Sequence, residues 1–225
     1  MIDCLRKHLN TLGLSLTHIQ EQQFEAYFNM LTEWNTNVNL TAITSPKDVA
    51  LKHFADSLAP LAVCPELFEG APSVIDIGAG AGFPSVPLKI MRPSISLTML
   101  DSLNKRILFL DSLADSLGLE NVRTIHSRAE DAAHIPELRE GFDLCVARAV
   151  APMRVLCEYT LPFIKLNGTL AAYKGPSVNE ETSEAKDAFT LLGGSCTGTF
   201  FVDFNTDEMS RYVVLIKKVK KTLAI

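Results

Sequence analysis

The segment Val74-Ile75-Asp76-Ile77-Gly78-Ala79-Gly80-Ala81-Gly82 constrains the chain most, because a short apolar strand runs straight into three glycines at alternate positions. Glycine tolerates positive φ and lets backbone approach a ligand that a side chain would push away. The segment therefore reads as a strand, a nucleotide-binding turn and a helix that accepts Pro84 in its first turn. A second strand, over 95–100, leads into Asp101, 19 positions beyond Gly82. An acid there can accept hydrogen bonds from both ribose hydroxyls of an adenosine-type cofactor. A tight turn and an unrelated helix cap would explain the glycines and Asp101 separately, but not their joint placement in one β/α/β unit.

Two residues bear on which cofactor the turn admits. The dinucleotide fingerprint GxGxxG needs its third glycine at position 83, where this chain has Phe83. Asp76, at the end of the first strand, suits a cofactor carrying an amino group and a sulfonium better than one carrying a pyrophosphate. The expected cofactor is S-adenosyl-L-methionine, with an NAD-dependent oxidoreductase as the remote rival.

Around this unit the chain divides in two. Residues 1–70 read as a helical extension. Ile2, Leu5, Leu9 and Leu12 form one apolar stripe before Gly13, and Thr17 with Gln20 forms a capping box ahead of a helix reaching about residue 35. Ser45, Pro46 and Asp48 then start a third helix that carries His53, Asp56 and Ser57 on one face. Residues 71–225 alternate short β-branched runs with helical periodicity. Strands are expected over 74–77, 95–100, 122–126, 142–147 and 169–173, with a closing hairpin over 199–203 and 211–219. Helices are expected over 84–91, 105–117 and 153–163. The fold expected is α/β: a Rossmann-like, mostly parallel seven-stranded sheet with helices on both faces.

Bulk properties bound the function. The formal charge of −5 argues against coating nucleic acid by bulk electrostatics, so any nucleic-acid substrate needs local basic groups. Such groups are Arg6 with Lys7, Lys105 with Arg106, Arg123 with Arg128, and the lysines at 217, 218, 220 and 221. The five cysteines include no CxxC pair and no zinc-ligand spacing, so no metal is expected. No apolar run reaches the roughly 20 residues of a membrane span, and residues 1–10 carry Asp3, Arg6 and Lys7 rather than a signal-peptide core. A cytoplasmic monomer without a membrane partner is the expectation.

The chain resembles the class I methyltransferases, and within them the bacterial RsmG (GidB) family, which methylates N7 of a guanine in 16S rRNA. The marks are Trp34-Asn35, Asn39-Leu40-Thr41, His53 to Ser57, Asp76 to Pro84, Lys105-Arg106, Phe109-Leu110, Arg128-Ala129-Glu130, Arg148 to Ala151 and Lys174-Gly175. They span almost the whole chain, and one departure is Ala81, where the family usually carries proline. By that resemblance Gly78, Phe83, Ala129, Glu130 and Arg148 contact the methyl donor and Asp101 binds its ribose. Asp76, Gly80 and Gly82 complete the expected donor set, and Arg148 and Lys174 are the expected catalytic residues. The implied partner is 16S rRNA or the small ribosomal subunit, with another RNA or a small molecule as the alternative substrate.

The residues agree with N7 chemistry. Guanine N7 attacks through a lone pair and carries no proton, so no strong general base is required. Arg148-Ala149-Val150-Ala151-Pro152 follows the fourth strand in place of the Asn/Asp-Pro-Pro-aromatic loop of exocyclic-amine methylators. Cys145 and Cys157 fall in an apolar strand and a helix, which fits core packing rather than a nucleophile. Arg148 is expected in the crevice, paired with Asp76 or Glu130 if its role is structural. His53, Asp56 and Ser57 either cover the cofactor cleft or anchor their helix to the sheet.

Overall fold

The structure, a computed structural model, describes residues 1–207 and 209–222. Glu208, within the expected hairpin turn, and residues 223–225 lie outside the described residues.

Seven strands form one sheet: β1 Ser73–Ile77, β2 Ser96–Asp101, β3 Val122–His126, β4 Phe142–Arg148, β5 Ile164–Lys174, β6 Gly194–Val202 and β7 Arg211–Lys218. Their order is β3-β2-β1-β4-β5-β7-β6. The first five are parallel, and β7 runs antiparallel to β5 and β6. Strand order reverses between β1 and β4, which opens a crevice at the carboxyl ends of those strands.

Helices cover both faces, as parallel strands buried on two sides require. Val74, Leu97, Met99, Leu144 and Val146 meet Phe24, Tyr27, Leu31 and Phe54 of the opening helices in one hydrophobic cluster. Ile75, Ile77, Leu100, Cys145 and Ala147 meet Met153, Leu156, Cys157 and Phe189 on the other face. Each fully buried phenylalanine contributes about 1.5–3 kcal/mol, so residues 1–70 are held to the sheet by apolar burial as well as by polar contacts. Cys145 and Cys157 are core residues, and burial raises the Cys157 thiol to about 12.

Local signals act as expected at the helix ends. Thr17 and Gln20 form the capping box that starts His18–Val38, and Ser45 Oγ accepts the Asp48 N–H ahead of Pro46–Asp48. Asn104–Ser116 runs to a stop at Gly118, whose φ is +62°. Elsewhere the structure departs from the expectation. The third helix becomes a π-helix over Val49–Ala55, β5 begins five residues before the expected strand, and β6 begins at Gly194. Between β5 and β6 stand two unexpected short helices, Val178–Glu184 and Lys186–Leu192. Among the described residues no helix is long and apolar enough to cross a membrane.

Candidate active site

The glycine turn forms as its sequence requires. Gly78, Gly80 and Gly82 have φ of +73°, +60° and +91°. A Cβ on Gly82 would stand 2.7 Å from the Tyr27 hydroxyl and 2.8 Å from Val86 Cγ2, so only glycine fits between the opening helices and the turn. Tyr27 also donates its hydroxyl to the Ala81 carbonyl at 2.5 Å, which ties the helical extension to the turn. Gly80 has open space where a Cβ would be, its nearest neighbour being Gly78 O at 3.8 Å.

Asp101 holds the other side. Its Oδ2 accepts the Gly80 N–H at 2.9 Å and Arg106 Nη1 at 3.3 Å, and its Oδ1 accepts the Leu103 N–H at 2.9 Å. The carboxylate thus fixes the turn while bordering a cavity of about 310 Å³. Gly78, Asp101, Ala129 and Glu130 all line that cavity, together with Ile77, Leu100, Ser102, Arg106, Ser127, Arg128, Ala149, Val150 and Tyr159. The volume lies at the lower end for cofactor-sized ligands, and the lining pairs apolar walls with an acid at the end of β2. The open space above Gly80 and the placement of Asp101 fit an adenosine-type donor.

Asp76, Gly80, Gly82, Phe83 and Arg148 stand outside the lining of this cavity. Asp76 is fully buried: its Oδ2 accepts the Ser85 N–H at 3.3 Å, and its Oδ1 has no hydrogen-bond partner among the described residues. Burial raises its carboxyl to about 7. Phe83 lies behind the turn, with Tyr27 and His53 stacked on it at ring-centroid distances of 5.2 and 4.4 Å.

Arg148 pairs with neither Asp76 nor Glu130. Its Nη1 bonds Asp56 Oδ2 at 2.7 Å and the Lys52 carbonyl at 3.0 Å, and its guanidinium lies 5.2 Å from the Phe83 ring centroid. Arg211, at the start of β7, bonds the same Asp56 carboxylate through Nε and Nη2 at 2.5 and 2.8 Å. His53 approaches Arg148 Nη2 at 3.4 Å through Nδ1 and Thr41 Oγ1 at 2.8 Å through Nε2. Burial, with the Arg148 charge, lowers its pKa to about 4, so the ring is neutral at pH 7. His53 and Asp56 therefore anchor the helical extension to β4 and β7.

Lys174 lines a second cavity of about 420 Å³ with Glu181, Arg211, Pro152 and Gly175. Ala149 and Val150 border both cavities, which adjoin there. Val150 also covers the glycine turn, its Cγ2 standing 3.0 Å from where a Cβ on Gly78 would be.

Some of the basic groups expected to meet nucleic acid serve internally. Arg6 pairs with Asp3 and Glu21, Arg123 donates to Thr98 Oγ1, and Lys218 is fully buried. Sequence reasoning gave no site role to Glu181 or Arg211, which reach the second cavity from elements with no motif of their own.

If Asp101 carries the donor ribose, Asp101→Ala removes charge-assisted bonds and frees the turn at Gly80. The dissociation constant for S-adenosylmethionine is expected to rise about 10- to 100-fold. Isothermal titration checks this, and an unchanged constant in the folded variant removes Asp101 from the donor site.

The comparisons with known proteins agree with this architecture. Among solved structures, a SAM-dependent methyltransferase from Aquifex aeolicus superposes with a TM-score of 0.57 at 18% identity, over 80% of this chain and 97% of that one. A variant of MtNAS in complex with S-adenosylmethionine gives 0.60 at 13% identity, over 90% of this chain and 77% of that one. At these identities the likeness concerns the fold. Sequence relatives reach further. The Ribosomal RNA small subunit methyltransferase G of Lactobacillus johnsonii is 47% identical over 96% of this chain and 90% of its own length. That of Clostridium perfringens is 44% identical over 98% and 91%. The family model described as GidB, rRNA small subunit methyltransferase G, matches residues 20–212, and the chain belongs to that family.

Proposed function

We propose that the protein transfers the methyl group of S-adenosyl-L-methionine to N7 of a guanine in 16S ribosomal RNA. The observation that carries this reading is the pair of adjoining cavities at the carboxyl ends of the sheet, which share Ala149 and Val150 as a border. The lining of one fits an adenosine-type donor, and the other holds Lys174, Glu181 and Arg211. Family membership supplies the ribosomal substrate.

S-adenosylmethionine supplies an electrophilic methyl carbon on a positively charged sulfur. Gly78 gives it backbone to lie against, Gly80 leaves open space beside the turn, Asp101 accepts from its ribose, and Ala129 and Glu130 line the cavity. Asp76, Gly82 and Phe83 act behind the turn, as the cap of the following helix, the close approach to Tyr27 and the ring against which His53 and Arg148 rest. Arg148 is thereby a positioning residue. Lys174 projects into the acceptor cavity as the group that meets the target base.

Guanine N7 attacks through its lone pair, the carbon–sulfur electron pair returns to sulfur, and no proton leaves the base. The neutral His53 and the buried cysteines are not needed as base or nucleophile. The enzyme's contribution is alignment of the two ligands where the cavities adjoin beside Ala149 and Val150, an effect that reaches about 7–11 kcal/mol in favourable cases.

Mapping N7-methylguanine in small-subunit rRNA from cells with and without the protein tests the reading. Loss of one methylated position is expected, restored in vitro by the purified protein with S-adenosylmethionine. Retention of every such position in cells lacking the protein overturns it.

A further inference from the structure

We propose that the ion pair of Lys174 and Glu181 selects guanine, Lys174 Nζ donating to O6 while Glu181 accepts from N1–H. The inference rests on the proposed reaction and adds the residues that choose its base. Glu181 lies on Val178–Glu184, a helix that carries no recognised motif.

The bonds already made by the pair leave the groups this role needs. Lys174 Nζ has three hydrogens and donates one to the Ala151 carbonyl at 2.8 Å and one to Glu181 Oε2 at 2.7 Å, which leaves a third. Glu181 Oε2 also accepts the Met153 N–H at 3.0 Å, whereas Oε1 takes, among the described residues, only the Ser177 hydroxyl at 3.2 Å. A carboxylate oxygen with lone pairs to accept a further bond therefore stands beside a cation with a hydrogen to donate.

Burial favours this use. The Lys174 side chain is 7% exposed and that of Glu181 is 23% exposed, so the pair borders the cavity while remaining shielded from bulk water. Burial pushes the Glu181 carboxyl up, but the Lys174 hydrogen bond and charge, with the bonds from the Met153 N–H and the Ser177 hydroxyl, together hold the group below the usual carboxylate range. Glu181 is an acceptor at neutral pH.

A donor beside an acceptor matches the Watson–Crick edge of guanine, where the O6 acceptor adjoins the N1–H donor. Adenine presents the reverse order, an amino donor next to an N1 lone pair, so both contacts turn repulsive. Anchoring a purine by O6 and N1 also directs its chemistry, because O6 lies between N1 and N7 on the base. N7 is left on the flank of the anchored edge. The Ala151 carbonyl that Lys174 holds belongs to the same loop as Ala149 and Val150, where this cavity adjoins the donor's.

The test replaces the mapped target guanosine, by ligation into small-subunit rRNA, with inosine or 2-aminopurine. Inosine keeps O6 and N1–H, whereas 2-aminopurine lacks both and retains N7. The wild-type enzyme is expected to methylate inosine comparably to guanosine and 2-aminopurine with kcat/KM lower by about 100-fold or more. Glu181→Gln is expected to lower kcat/KM on guanosine about 30-fold and to narrow the guanosine to 2-aminopurine ratio about tenfold, with S-adenosylmethionine affinity unchanged. A structural role for Glu181 would lower activity without narrowing that ratio. Wild-type enzyme that uses 2-aminopurine as well as guanosine, or a Glu181→Gln enzyme with an undiminished ratio, overturns the assignment. Failure of the wild-type enzyme to methylate the unmodified rRNA overturns the proposed reaction itself, and the assignment with it.

Discussion

Asp56→Ala is expected to destabilise the protein by about 3–5 kcal/mol, the range for removing one partner from a buried ionic group. Asp56 is fully buried, and its carboxylate is shared by Arg148 and Arg211, whose side chains are 9% and 18% exposed. Alanine would leave two guanidinium groups facing each other with the neutralising charge gone, and the Lys52 carbonyl cannot replace it. The damage should reach the site, because Asp56 makes the shortest of the bonds that hold Arg148 against Phe83. Urea unfolding of the variant measures the loss directly. A second variant separates unpaired charge from lost packing: combining Asp56→Leu with Arg148→Met and Arg211→Met removes all three charges and should recover at least half of the stability, since apolar residues of similar size often replace a buried ion cluster without loss. A loss below about 1 kcal/mol in Asp56→Ala would show that the cluster is no more than a surface ion pair in energetic terms.

The same cluster marks the limit of what the sequence made legible. The glycine turn and Asp101 were readable because their signals are local: positive φ demands glycine, and an acid closing the next strand falls at a fixed spacing. Asp56, Arg148 and Arg211 meet across 92 and 155 positions of sequence, and only the order β4-β5-β7 brings the two arginines to one carboxylate. Asp76 and Glu130 were reasonable partners for Arg148 by strand position, but Asp76 is turned toward Ser85 and Glu130 borders the donor cavity. The π-helix Val49–Ala55 was hidden for a different reason, since its apolar spacing is also compatible with an ordinary helix. β6 gave a weak signal because residues 195–201 are exposed or half-buried and the register slips between Cys196 and Gly198, so no alternation of apolar and polar side chains survives. Glu181 escaped notice because Val178–Glu184 buries only Val178 and reads as polar loop.

Asp76→Asn should remove a strong dependence of stability on pH between about pH 4 and pH 7. The Asp76 carboxyl titrates near the ordinary value of 3.8 when unfolded but is raised to about 7 in the fold, where burial disfavours its charge and Oδ1 lacks a partner among the described residues. Below about pH 4 the group is protonated in both states and costs the fold no buried charge. Between about pH 4 and pH 7 the unfolded chain ionises first, so the unfolded state binds fewer protons and stability falls as pH rises. At about 1.4 kcal/mol per unit, the window contributes on the order of 4 kcal/mol. Above about pH 7 both states are ionised and the loss is complete. Asparagine keeps an oxygen for the Ser85 N–H but cannot ionise, so the variant should gain stability over the wild type by about 3 kcal/mol between pH 5 and pH 8. Urea midpoints of both proteins across that range check the difference, in which the contributions of other titrating groups cancel. A constant difference would mean that Asp76 folds in as a carboxylate, with its charge compensated by Arg148 despite the absence of a direct bond. The observed burial argues otherwise: the chain keeps an acid beneath its glycine turn at the expense of stability at neutral pH.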